Sequence, residues 1–281
     1  SYIRAGSAPI VNSVTAAAAS QGNSATFTLT ENTTTTLYTH GTITDIDGCA
    51  DVATNGTITG KLYRTNHTSG DGCSTDNNDC YSVQNANCTK TACDGPEDNT
   101  FSYECTTAIH YYADSTTSGQ YASTNWTAKI TATDGALLSA SASDTIEMNS
   151  TIALSLSSSS IQYGSLNLDA QSAQQTLSIA NTGNTGIDIN LSASGGMACD
   201  SGSMPVDAAH YSLTSGFSYA GGISLTGSQT ELEFDLTTRT SDASPQTKDI
   251  YFILKAPSSG AGGNCSNSLT ITSRADAENG W

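Results

Sequence analysis

Basic residues, long apolar runs and helical periodicity are all scarce in this chain, and each shortage removes a class of protein. Nine Lys and Arg stand against twenty-six Asp and Glu, for a formal charge of -17 at pH 7, so a nucleic-acid backbone would be repelled rather than bound. No apolar run approaches the roughly 20 residues that a membrane-crossing helix needs, which excludes a span of that kind. The opening SYIRAGSAP lacks the apolar core of a signal peptide. Walker loops and dinucleotide fingerprints are missing too. Gly216-Phe217-Ser218-Tyr219-Ala220 approaches a nucleophile elbow, but Ala220 stands where that motif needs Gly. His40, His67, His110 and His210 fall at no metal-ligand spacing from one another. No enzyme is expected from such a set.

What the chain does have is cysteine, hydroxyl residues and alternation. Six of the eight cysteines, Cys49, Cys73, Cys80, Cys88, Cys93 and Cys105, lie within one polar stretch. That stretch carries too few apolar side chains to offset the entropy of ordering by burial. There is no C-x-x-C pair, so disulfides fit better than zinc, and disulfides call for an oxidising compartment. The chain is accordingly expected to be a mature secreted form whose targeting segment has been removed. Six cysteines allow fifteen pairings. The shortest closures favour Cys73 with Cys80 and Cys88 with Cys93, leaving Cys49 with Cys105; farther on, Cys199 and Cys265 are expected to pair with each other.

Ser and Thr exceed a quarter of the residues and charged residues are only 12%, with no run of helical apolar spacing. Period-two patterns run through 25–30, 34–45, 57–64, 101–113, 125–134 and 138–148, with Leu37, Ile43, Ile58, Leu62, Phe101, Tyr103, Trp126 and Ile130 inward. After Asn149 the alternation resumes: Ile152, Leu154 and Leu156; Ile161, Tyr163, Leu166 and Leu168; Leu177 and Ile179; Ile187, Ile189 and Leu191; Leu232, Phe234 and Leu236; Ile250, Phe252 and Leu254; Leu269 and Ile271. The fold class predicted is all-β, as two tandem β-sandwich domains, Ig-like or jelly-roll-like, with an extended N-terminal arm. The arm covers 1–8, the first sandwich with its disulfide-rich insertion 9–148, and the second, with a short C-terminal tail, 149–281.

PIVNSVT, the TDIDG turn and the closing WTAKITATDGA resemble Ig-like repeats of prokaryotic cell-surface proteins over about 9–148. IQYGSLNLDAQSAQQTLSIANTGNTGIDINLSASG is similar to camelysin-type and biofilm-fibre domains over roughly 149–273, though without their N-terminal hydrophobic approach segment. In that hairpin Asn181, Gly183, Asn184 and Gly186 are expected to supply positive backbone angles. The two resemblances imply spacer, adhesive or fibre-forming roles outside the cell and bring no catalytic residues with them.

The function expected is therefore a structural subunit of an extracellular filament or surface layer, polymerising with copies of itself by β-strand addition. Tyr2, Ile3, Arg4, Ile10 and Val11 are the assembly-arm candidates; a disordered terminus or a strand of the chain's own first domain is the alternative for this segment. A cell-surface adhesin or glycan-binding module, with glycans or other surface proteins as partners and Tyr112 and Tyr121 as stacking residues, is the competing function. Asn32, Asn55, Asn66, Asn87, Asn125, Asn149, Asn190 and Asn264 head Asn-x-Ser/Thr sequons and are glycosylation candidates. Ca²⁺ is the one cofactor with a candidate site: Asp45, Asp47 and Asp51 form an oxygen-rich turn, although Gly56 occupies the twelfth position where a Ca²⁺ loop carries an acid. Asp71, Asp76 and Asp79 rank below them, since Asp also serves turn geometry.

Overall fold

The computed structural model describes residues 6–95 and 97–281. Regular structure in them is almost wholly β, broken by one helical turn at Ala50–Ala53 and a few 3-10 turns. The sheets are antiparallel throughout except where Thr26–Phe27 runs parallel to Ser139–Met148. Two compact units emerge, 1–151 with 239–243, and 152–238 with 244–281.

In the first unit one sheet has the order Ile10–Val11, Thr34–Thr44, Thr100–His110, Cys88–Lys90, with Thr15–Ala17 also on Thr34–Thr44. The other runs Thr26–Phe27, Ser139–Met148, Trp126–Thr133, Thr57–Arg64, Cys80–Val83. Alternating Thr and apolar residues create a buried and a wet face on each strand. On Thr100–His110, Phe101, Tyr103, Cys105 and Ile109 point inward. Leu37, Leu62, Phe27, Ile109 and Trp126 pack together from the two sheets, and Val11, Ile43, Ile58, Tyr103 and Ile130 form a neighbouring cluster. Fully burying each such side chain is worth roughly 1.5–3 kcal/mol. The arrangement is sandwich-like.

Val11 corrects the arm assignment. Ile10 and Val11 pair with Thr44 and Ile43 of their own unit, and Val11 is buried there, because a β-branched residue beside Ile43 completes a core. Tyr2, Ile3 and Arg4 lie outside the described residues.

The second unit joins a five-stranded sheet, in the order Leu154–Leu156, Gln175–Asn181, Thr247–Leu254, Ala209–Ser212, Ile223–Ser224, to a three-stranded one of Thr230–Leu236, Ile187–Ala193 and Leu269–Ala275. Leu177, Ile179, Ile189, Leu191, Phe234, Ile250 and Phe252 share one core. A ribbon of Met197–Met204 and Ala261–Ser266 completes the unit. Ile161, Tyr163 and Leu166 do pack against the core, yet their segment is not the strand its alternation predicted.

Two disulfide expectations are corrected. The bonds are Cys49–Cys93, Cys73–Cys80, Cys88–Cys105 and Cys199–Cys265. Strand register decides the difference: Cys88 sits directly opposite Cys105, as Cys199 does opposite Cys265, which leaves Cys49 for Cys93. The Asn181 hairpin is also built differently from the expectation. None of Asn181, Gly183, Asn184 and Gly186 has a positive φ. Instead Asn181 Nδ2 donates to the Thr185 carbonyl at 2.8 Å and its Oδ1 accepts from Gly183 N–H at 3.0 Å, an Asx-type staple. Gly186 is required for a different reason, since a Cβ there would lie 2.4 Å from the Trp281 ring.

Candidate functional site

Sheet edges are where a β protein can accept another strand, because an edge carries unpaired N–H and C=O groups. In the first unit the outermost strands are short, from Ile10–Val11 at two residues to Cys80–Val83 at four, and they leave part of the strands behind them, such as 139–146, paired on one side only. In the second unit Thr230–Leu236 and Leu269–Ala275 are each seven residues long and each has Ile187–Ala193 on one side only; Leu269–Ala275 also contributes to a cleft.

The hydrogen-bond phase of that strand is fixed at both ends. Ser194 N–H donates to the Ser268 carbonyl and Asp276 N–H to the Gly186 carbonyl. Bonded and non-bonded pairs alternate in an antiparallel ladder. Thr270, Thr272 and Arg274 therefore bond inward to Ile187–Ala193, and the backbone groups of Leu269, Ile271, Ser273 and Ala275 face out.

This edge opens onto a cleft of about 870 Å³. Its floor is apolar, with Leu177, Met197, Met204, Leu225, Phe252 and Leu254 contributing. The run from Ala261 to Leu269, together with Ile271, forms one wall, and residues 158–166 form the wall across from it. From Ile161 to Leu168 no backbone N–H donates to another group among the described residues. The cleft thus lies between residues 161–168, whose backbone N–H groups donate to nothing among the described residues, and a wall in which Ala261–Ser266 is paired with Met197–Met204 while the outward backbone groups of Leu269 and Ile271 are open, above side chains that belong to the core.

The glycan-stacking pair does not form an open face. Tyr112 is fully buried, its hydroxyl donates to Asp242 and the Arg239 guanidinium lies 4.6 Å over its ring. Burial, followed by the Asp242 contact, raises its pKa beyond the ordinary phenol range. The Tyr121 ring is covered by Arg64 at 3.8 Å.

The acidic residues divide by what they touch. Asp71 is paired with Lys129. Asp76 Oδ1 accepts from the N–H groups of Asn78, Asp79 and Cys80, which caps its own turn. Asp79 and Asp114 flank Arg64 at 3.1 and 2.8 Å. Burial, and then the hydrogen bond and charge of Asp76, push Asp79 up to about 6. Asp45 and Asp51 meet Asp134, which spacing gave no reason to include, while Asp47 stands outside that trio. Asp47 Oδ2 instead accepts from Ser7 N–H at 2.5 Å. Burial raises the Asp45 pKa, with nearby carboxylates adding to the shift.

Among the sequons, Asn32, Asn55, Asn66, Asn87 and Asn264 are exposed, whereas Asn125, Asn149 and Asn190 are half-buried. Asn149 Nδ2, the atom a glycan would occupy, already donates to Thr28 Oγ1 at 2.7 Å.

What these features define is an all-β, disulfide-bonded chain with acidic clusters able to take a divalent cation, and no helix among the described residues long and apolar enough to cross a membrane. No family model matches the chain, and no curated relative does. Among solved structures, it is similar to the chaperone–tip adhesion subunit pre-assembly complex of archaic chaperone-usher Csu pili from Acinetobacter baumannii, at 9% identity and TM-score 0.38, covering 89% of this chain and 97% of that one. Dimeric latent PorU from Porphyromonas gingivalis gives 12% identity and TM-score 0.27, covering 94% of this chain and 20% of that one. The secreted serine protease VesC from Vibrio cholerae gives 8% and 0.17, covering 86% and 48%. Values this low assign neither fold family nor role.

Proposed function

We propose that the chain is a non-catalytic structural subunit of an extracellular filament or surface layer, built of tandem β-sandwich domains, in which an extended segment of one copy adds as a strand to the Leu269–Ala275 edge of the next. The observation that carries this reading is the coincidence of a seven-residue open edge with an apolar cleft beside it. Main-chain hydrogen bonds to Leu269, Ile271 and Ser273 would supply affinity, and apolar side chains entering the cleft would supply register. The donor assigned is the N-terminal segment, residues 1–8, where Tyr2 and Ile3 stand among small residues. Four disulfides support an oxidising, extracellular setting.

The test compares three proteins by electron microscopy and size-exclusion chromatography: the full chain, a chain lacking residues 1–8, and Ser273→Pro. The Ser273 N–H points outward, so proline removes no bond within the subunit but blocks an incoming strand. Both variants should stay folded and single while the full chain polymerises. Filaments formed by Ser273→Pro would remove the edge from the account, and filaments formed by the truncated chain would remove the arm.

A further inference from the structure

The first unit holds a feature that strand addition does not use. Asp45 follows the Thr34–Thr44 strand, Asp51 lies in the Ala50–Ala53 turn, and Asp134 follows the Trp126–Thr133 strand. One carboxylate oxygen from each lies within 4.8 Å of those from the other two. Two oxygens bound to the same ion at about 2.4 Å can be no more than about 4.8 Å apart, and that is the Ca²⁺–oxygen distance.

Proximity alone would not make a site. The second observation is where the hydrogen bonds go. Asp45 Oδ1 accepts from Asp47 N–H at 2.9 Å. Asp134 Oδ1 accepts from the N–H groups of Ala136 and Leu138, both at 2.8 Å. Asp51 Oδ1 accepts from Gly135 N–H at 3.2 Å. The backbone thus orients all three carboxylates and ties the 45–51 loop to the 134–138 turn. The second oxygens of Asp45 and Asp134 have no partner at all, although these residues are 0% and 1% exposed. No described Lys, Arg or His forms an ion pair with any of the three. The Lys90 ammonium beneath the same loop is engaged by the Val52 and Gly56 carbonyls. Buried carboxylate oxygens left unpaired are costly, and the cost is relieved by a cation.

We infer that Asp45, Asp51 and Asp134 bind one Ca²⁺ per chain, independently of how the subunits assemble. Three hard oxygen donors with no nitrogen or sulfur favour Ca²⁺ over zinc, and backbone carbonyls and water would complete its coordination. The other acidic groupings differ in the way that matters. Asp188 is buried but meets Arg274 at 3.2 Å, and Asp79, beside His67 and Asp76, meets Arg64. Each of those groupings thus already holds one guanidinium, which the Asp45 trio lacks among the described residues.

The experiment uses the full, disulfide-intact chain after EGTA treatment and dialysis. Calorimetric titration with CaCl₂ should show one site with Kd in the range of about 10⁻⁴ to 10⁻³ M typical of extracellular modules, and Ca²⁺ should raise the thermal midpoint. Asp134→Asn keeps the Oδ1 acceptor for Ala136 and Leu138 and so should fold; it should bind at least about tenfold more weakly, as should Asp45→Asn. In EGTA neither variant should unfold earlier than the wild-type chain, since an unpaired charge has been removed. A wild-type chain with neither heat nor midpoint shift at 10 mM CaCl₂, or a shift that both variants retain, overturns the assignment.

Discussion

The two units solve the edge problem of β proteins in opposite ways. The first has short outermost strands, three disulfides and a buried trio of carboxylates. The second has one disulfide, a long edge and a cleft beside it. Closed and open units within one chain place cross-linking where apolar residues are few, and binding capacity where the core reaches the surface.

The largest effect expected within this comparison is in the first unit. Arg64→Ala would leave Asp114, nearly buried at 8% side-chain exposure, without its cation. Breaking a buried pair in this way costs about 3–5 kcal/mol, measurable as a shift in denaturant midpoint. A loss below about 1 kcal/mol would mean that the Asn78 amide alone satisfies Asp114.

Removing the Cys88–Cys105 bond, which closes a 17-residue separation, by the double change to Ala should cost about 3 kcal/mol in the chain-entropy account. Removing Cys199–Cys265, with a separation of 66, should cost about 4 by the same relation. Equal losses would show that loop length does not govern these cross-links and would erase one contrast between the units.

A smaller effect concerns pH. Asp79 titrates near 6 in the folded chain, against about 3.9 when unfolded. Between those values the native state holds a proton that the unfolded state has released, so this group's contribution makes stability fall as pH rises from about 4 to about 6. Asp79→Asn should flatten that part of the profile, with unfolding midpoints across the range as the check. Smallest of all is Lys129→Ala, which removes the exposed pair with Asp71. Surface pairs of this kind contribute little, and no change in midpoint is expected at physiological salt.

Legibility in the sequence followed the range of the interaction. Alternation identified Phe101 and Tyr103 as inward because the two-residue period is local. It misread 161–168, where Ile161, Tyr163 and Leu166 are apolar for the core but the backbone has no neighbouring strand. Spacing brought Asp45 and Asp51 together and missed Asp134, whose proximity depends on a strand pairing set elsewhere in the chain. A hint was present in TDGA, a turn following a strand, but nothing local says which other turn it faces.

Composition and period by themselves determined that this protein is β throughout, acidic and cross-linked, since these follow from residue type and from the geometry of single strands. Which cysteines join, which carboxylates converge and which edge remains open were decided only by tertiary structure. Each of those depends on the register between distant strands, and register is a property of pairs that no single stretch of chain contains.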